Sequence, residues 1–199
     1  MPTPPKPELV TFRMELQDVV PLVWRRVIVP GEWTFAMLHP YLQWVMGWES
    51  AHAHEFHVGE IVIAPKAWIQ QMALNSNVDR YRDEKKGSLS KVVRELGVTG
   101  EFEYHYDVGD GWIHRIVVEQ TPAGWTKIEL PIPACTAGEN ACPPEDVGGP
   151  PGYAHFLECI ANPSKQGHVD MLQWTGGVFD PKGFDLNRLN REWHSKHRG

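Results

Sequence analysis

The sequence has no apolar run long enough to cross a bilayer. Its longest, near Val19 to Trp24, is interrupted by Pro21 and falls far short of the roughly 20 residues a spanning helix needs. Cysteine is scarce: Cys135, Cys142 and Cys159 are an odd number in a chain of 199 residues. That argues against a disulfide framework and predicts reduced thiols. A surplus of positive charge is missing too, since 19 Lys and Arg stand against 25 Asp and Glu for a net charge of -6. The molecule as a whole is therefore not a basic body drawn to phosphate backbones. The opening MPTPPKPELV has neither the apolar stretch of a signal peptide nor the character of a transit peptide. Residues 1–7 read as a flexible extended arm, and the cytoplasm is the expected compartment. No internal repeat is visible.

What is present is the composition of a globular domain, 42% hydrophobic and 22% charged. A chain of this length buries about 70% of the surface its unfolded form exposes, so one core is expected. Nine Trp are spread along the whole sequence. Such a spread favours a core and its rim over a single stacking platform for bases, which would pair aromatics with basic residues.

Alternation predicts two strands within 8–29, TFRMELQDV and PLVWRRVIV, with Phe12, Met14 and Leu16 on one face. Thr34 is placed to cap a helix over 35–46, whose Phe35, Leu38, Leu42, Val45 and Met46 share a face; Pro40 is an irregularity within it. HAHEFHVGEIVIA predicts a hairpin or bent strand around Val58-Gly59-Glu60, and 65–87 reads as a surface excursion. Ser88 opens a short helix through Leu96, ended by Gly97. Phe102, Tyr104, Tyr106 and Val108 alternate with polar residues, and Gly109-Asp110-Gly111 leads into Trp112 to Val118, which together predict a hairpin over 101–120. A strand near Thr126 to Leu130 and a long Pro/Gly-rich loop over 131–152 follow. Helices are expected over Tyr153–Ala161, Val169–Trp174 and Asp185–Trp193. Strands come first and helices last, which is the order of an α+β domain. The expectation is one domain over 8–194, mainly an antiparallel sheet with helices packed on it and a helical C-terminal part, with 195–199 as a tail.

Three groups of residues carry the types that do chemistry. The first is Asp107, Asp110 and His114 of the hairpin with Glu145 and Asp146 of the later loop. A diagonal approach of Asp107 and His114 would suit an oriented histidine or a hard-metal site; the plainer reading makes the Asp and Gly residues turn formers. The second is His52-Ala53-His54, since imidazoles at i and i+2 of a strand point the same way and chelate a metal. The third joins Cys135 and Cys142 to His52 or His54 as a tetrahedral site for a divalent metal such as zinc, against a reading of both thiols as small buried residues. VGGPPGY lacks the order of a phosphate-binding loop and reads as a helix entry. The end REWHSKHRG, with Arg191, Lys196, His197 and Arg198, is the candidate for nucleic-acid contact.

The order PLVWRRVIVP, LHPYLQWVMGW, HAHEF, FEYHYDVGDGWIH and ACPPEDVGGPPGYAHFLE resembles the plasmid pRiA ORF-three-like family, also labelled insertion-element passenger proteins related in name to resolvases. Tyr106, Asp107, Gly109, Asp110, Trp112 and His114, and then Cys142 to Tyr153, carry its most specific motifs. The resemblance implies a compact α+β fold and an occurrence on plasmids and mobile elements, and it supplies no catalytic residue. A serine recombinase needs a nucleophilic Ser in an Arg-rich site and a basic helix-turn-helix, and neither is visible in this sequence.

The function expected is a non-enzymatic binding or interaction module with a concave surface formed by 101–120 and 131–152. The alternatives are a metal-dependent hydrolase and an accessory protein of DNA transactions. A protein partner fits the first, and no membrane contact is expected.

Overall fold

A computed structural model describes residues 8–74, 76–97, 99–121 and 131–197. Among the described residues eight strands form one sheet in the order β5-β4-β3-β6-β7-β1-β2-β8. They are β1 (Leu9–Leu16), β2 (Trp24–Pro30), β3 (His54–Val58), β4 (Ile61–Ala64), β5 (Tyr81–Asp83), β6 (Glu101–Tyr106), β7 (Trp112–Glu119) and β8 (Ala134–Glu139). All pairs are antiparallel except β4 with β5. The helices are α1 (Phe35–Met46), α2 (Lys66–Met72), α3 (Leu89–Leu96), α4 (Gly149–Ala161), α5 (His168–Trp174) and α6 (Leu186–Lys196). The fold is α+β, as the segregation of strands and helices predicts.

Alternation decides the two faces of the sheet. Phe12, Met14 and Leu16 of β1, Phe56 of β3, Phe102, Tyr104 and Tyr106 of β6, and Trp112, His114, Ile116 and Val118 of β7 are buried. They share one core with Phe35, Leu38, Tyr41, Leu42 and Val45 of α1. The intervening residues carry charge on the other face, where Arg26 pairs with Glu119 and Arg115 with Glu101.

Helix α1 runs unbroken through Pro40, which lacks the N–H that would bond to Ala36. Thr34 occupies the cap position but its side chain makes no cap bond. Instead the Thr34 carbonyl accepts from Met37 and Leu38, and the Glu84 carbonyl accepts from Ala36. Ser88 likewise caps α3 by position only.

Two stretches differ from expectation. Residues 65–87 are not a plain excursion: AWIQQM lies in α2, and Tyr81–Asp83 adds β5 alongside β4. The loop 131–152 contains β8, and α4 begins at Gly149, ahead of Tyr153, with Pro150 and Pro151 in its first turn, where the missing N–H groups cost nothing. The strand expected near Thr126 to Leu130 lies outside the described residues. At the other end α6 extends to Lys196, so the expected tail begins within a helix.

Edge strand β8 is covered by α6 in a specific way. Asn190 Oδ1 accepts from the Cys135 N–H at 2.9 Å, and Asn190 Nδ2 donates to the Cys135 carbonyl at 2.8 Å. One side-chain amide thus stands in for a neighbouring strand and blunts an exposed edge.

Candidate functional site

Gly47, in the left-handed conformation at φ 93°, ends α1 and turns the chain so that Trp48 enters the core. The Trp48 ring stacks on Tyr106 with centroids 5.0 Å apart, and its Nε1 donates to the Pro143 carbonyl at 2.9 Å. The Tyr106 hydroxyl donates to Glu145 Oε1 at 2.8 Å and accepts from the Ala51 N–H at 3.1 Å. The Glu49 N–H reaches the same Glu145 oxygen at 3.0 Å. The Pro-rich segment 143–146 is therefore tied to the sheet end and to the segment after α1, which carries His52.

The two motif segments meet here. At the turn after β6, Asp107 adopts φ 57°, and its Oδ1 accepts from the Gly109 N–H at 2.8 Å and the Asp110 N–H at 3.3 Å. This is the turn-forming role that Asp performs well, since its short side chain bonds the backbone two residues on. Asp110 Oδ2 accepts from the Gly148 N–H at 3.1 Å, at the start of α4. A negative charge at that position suits the positive end of the helix.

With Oδ1 committed to the turn, Asp107 presents Oδ2 to His52. His52 Nε2 lies 3.6 Å from Asp107 Oδ2 and 3.0 Å from Asp146 Oδ1. Nε2 is buried, yet its geometry makes a hydrogen bond to neither carboxylate. Among the described residues these three form the group of metal-ligating side chains whose donor atoms all lie within 4.8 Å of one another. Asp107 is nearly buried, with 8% of its side chain exposed, whereas Asp146 is 70% exposed. One imidazole and two carboxylates suit a first-row divalent ion such as zinc or manganese. The buried, unbonded Nε2 is the feature a cation would satisfy.

The other candidate residues have separate roles. His54 does not converge with His52, because His52 precedes β3 and the i, i+2 rule of a strand does not reach it. His54 instead pairs with Glu84 at 2.8 Å and stacks on His39 with ring centroids 3.5 Å apart. Burial, and then the neighbouring His54, lower the His39 pKa to about 3. His114 is fully buried opposite Tyr104, whose carbonyl accepts from its Nδ1 at 3.1 Å. It forms no ion pair with Asp107 among the described residues, since Asp107 lies beyond the last cross-strand pair, Tyr106 with Trp112. Burial lowers the His114 pKa to about 3. Cys135 sits on β8 with its thiol directed at the Ala137 carbonyl, and burial raises its pKa to about 11. Burial raises Cys142 as well. Neither thiol belongs to the His52 group.

Beside the group lies a cleft of about 840 Å³, to which Asp146, Glu145, Trp48 and Arg25 contribute. Its far wall comes from the C-terminal helices and the turn between them, including Trp174, Phe184 and Arg188. The hairpin 101–120 lines none of it, contrary to the expected concave surface, because its turn is covered by the start of α4. A smaller hollow of about 350 Å³ between α4 and α5 shares Asp146 and Trp174 with the cleft. Trp112 is fully buried, in keeping with a core role for the spread Trp residues. In the basic end, Lys196 lies over the Trp44 ring and His197 stacks on Trp193.

YHYDVGDGWIH and ACPPEDVGGPPGY are thus joined directly by Asp110 with Gly148 and by Tyr106 with Glu145, and His52 lies between Asp107 and Asp146. The sequence pattern of the plasmid pRiA4b ORF-3-like proteins matches residues 8–188. The chain belongs to that family. A relative from Sinorhizobium fredii, the uncharacterized protein y4hQ, is 35% identical over 187 residues, covering 92% of this chain and 89% of that protein. The crystal structure of the protein of unknown function MM3350 from Methanosarcina mazei Go1 is similar with a TM-score of 0.73 and 31% identity, over 89% of this chain and 95% of that one. The family match thus spans the eight described strands and α1 to α5 and reaches the start of α6. Among the described residues no helix is long and apolar enough to cross a membrane.

Proposed function

We propose that the chain is a cytoplasmic binding module, associated with plasmids or mobile elements, that holds one divalent cation at His52, Asp107 and Asp146 beside its cleft. The observation that carries this reading is His52 Nε2, buried and facing two carboxylate oxygens without bonding either. Asp107 supports the role because the turn fixes its orientation, leaving one oxygen for a ligand. Three protein donors leave coordination positions for water or for a group from a bound partner. The family description supports the association with plasmids, and the absence of a membrane-crossing helix among the described residues is compatible with the cytoplasm.

A hydrolytic reading has one specific observation in its favour. Glu145 Oε2 is buried without a hydrogen-bond partner among the described residues, one residue before Asp146, where a carboxylate would serve as a base toward a cation-activated water. In either reading the ion comes first. Calorimetric titration with zinc and manganese should give about one ion per chain, with binding lost in His52→Ala. Unchanged binding in that variant would remove the reading, and ester or phosphoester turnover by the loaded protein would favour the hydrolytic one.

A further inference from the structure

Arg25 is 2% exposed, and its guanidinium is within ion-pair distance of no carboxylate among the described residues. Nε donates to the Val45 carbonyl, Nη1 to those of Trp24 and Glu139, and Nη2 to that of Asn140. Four of the five N–H groups of a guanidinium are thereby satisfied, but carbonyls do not cancel its charge. Taking an ion out of water without a counter-charge is unfavourable even after relaxation. The adjacent thiols do not supply that charge, since burial holds both Cys135 and Cys142 in their neutral forms.

Arg25 lines the cleft, with the Phe184 ring 4.1 Å from its guanidinium carbon. Two further cations on the same cleft, Arg188 and Lys196, also have no carboxylate within ion-pair distance among the described residues. The carboxylates on the cleft are partly engaged elsewhere: Asp185 caps α6, Glu145 takes the Tyr106 hydroxyl, and Asp146 faces His52. Glu49 and Glu192 stay exposed. Trp174 and Phe179 add apolar surface to the wall.

We infer that the cleft is a subsite for a small organic anion, a phosphate or carboxylate joined to an aromatic or apolar body, with the anion neutralising Arg25 and the body lying against Trp174 and Phe179. The inference rests on the cleft and its cations and does not depend on the cation proposed at His52. A planar guanidinium edge with an N–H to spare is matched to either oxyanion.

The test uses phenyl phosphate and benzoate as probes, with phenol as the uncharged control, on the full chain by calorimetry and by the Arg25 Nε–H resonance in NMR. Both anions should bind saturably, shift that resonance and outcompete phenol. Arg188→Glu combined with Lys196→Glu, at two exposed positions, should weaken them about tenfold or more while unfolding stays cooperative. The ratio of the two anions' affinities separates phosphate from carboxylate as the preferred group. The parent treated with chelator should bind both probes as the untreated parent does. Absence of saturable binding, equal binding of phenol, an unmoved Arg25 resonance, or binding that vanishes with chelator would each overturn the subsite. The last of these would leave the cation site standing, and loss of cation binding alone would leave the subsite standing.

Discussion

Asp110 Oδ2 accepts the Gly148 N–H at 3.1 Å, so the turn between β6 and β7 caps a helix whose N-cap lies 38 residues further along the chain. The backbone approach is close as well. A Cβ at Gly149, which has φ 67°, would stand 2.3 Å from the Asp110 carbonyl oxygen. Asp110→Ala should therefore cost about 1 kcal/mol, the usual value of a lost helix cap. Gly149→Ala should cost more, because it adds an impossible contact to a strained φ. Urea unfolding measures both, and equal, negligible losses would contradict the joint.

The Asn190 clamp on β8 makes a second prediction. Asn190→Ala removes two hydrogen bonds to Cys135 and leaves their backbone partners facing a helix, at a cost of about 1–3 kcal/mol. It also uncovers an edge strand. Size-exclusion chromatography should show more self-association in the variant than in the parent.

His114 sets part of the acid sensitivity. Its folded pKa is about 3 against an ordinary 6.5, so between those values the unfolded chain takes up a proton that the folded chain refuses. Its contribution is fully present above pH 6.5 and declines as the pH falls toward 3. One such group removes about 1.5 kcal/mol on going from its ordinary pKa to about pH 5. His39, lowered to about 3 by burial and by His54, acts with the same sign. Unfolding free energy measured against pH should fall less steeply in His114→Leu than in the parent, and parallel slopes would contradict this assignment.

Much of the sheet is legible in the sequence because its inner face is apolar at every second residue, as in Phe102, Tyr104 and Tyr106. Strand β8 is not, since ACTAGE consists mainly of small residues and owes its pairing to β2 and to the Asn190 amide. Strand β5 is three residues long and pairs in parallel with β4, too short for any periodicity to register. The start of α4 is hidden by Gly149-Pro150-Pro151-Gly152, a composition of loops. There the glycines allow close approach, and a Cβ at Gly152 would meet the Val147 carbonyl oxygen at 2.0 Å.

The candidate site is legible residue by residue but not as a set. His52, Asp107 and Asp146 each stand out, yet the sequence distributes them between two groups, because what joins them is a contact between segments about 40 to 90 residues apart. The pairing of His52 with His54 fails at a strand boundary, the least certain feature in any reading of periodicity. Arg25 leaves no mark at all. It sits in VWRRVIV, where alternation assigns one of two adjacent arginines inward, and only the carbonyls gathered around it reveal its burial. Glu84 and His39 are missed for a like reason, since α1 and the segment after β5 meet only in the folded chain.

The cation site is tested most directly by Asp107→Asn. Asparagine keeps the oxygen that accepts from Gly109 and tolerates the positive φ of 57°, so the turn survives while the charge facing His52 is removed. Zinc and manganese titrations of parent and variant, monitored by calorimetry and by the shift in Tm, make the comparison. The account predicts about one ion per parent chain, a Tm raised by the ion and lowered again by chelator, and binding at least about tenfold weaker in the variant. A parent chain that binds no ion, or a variant that binds it equally well, would contradict the account.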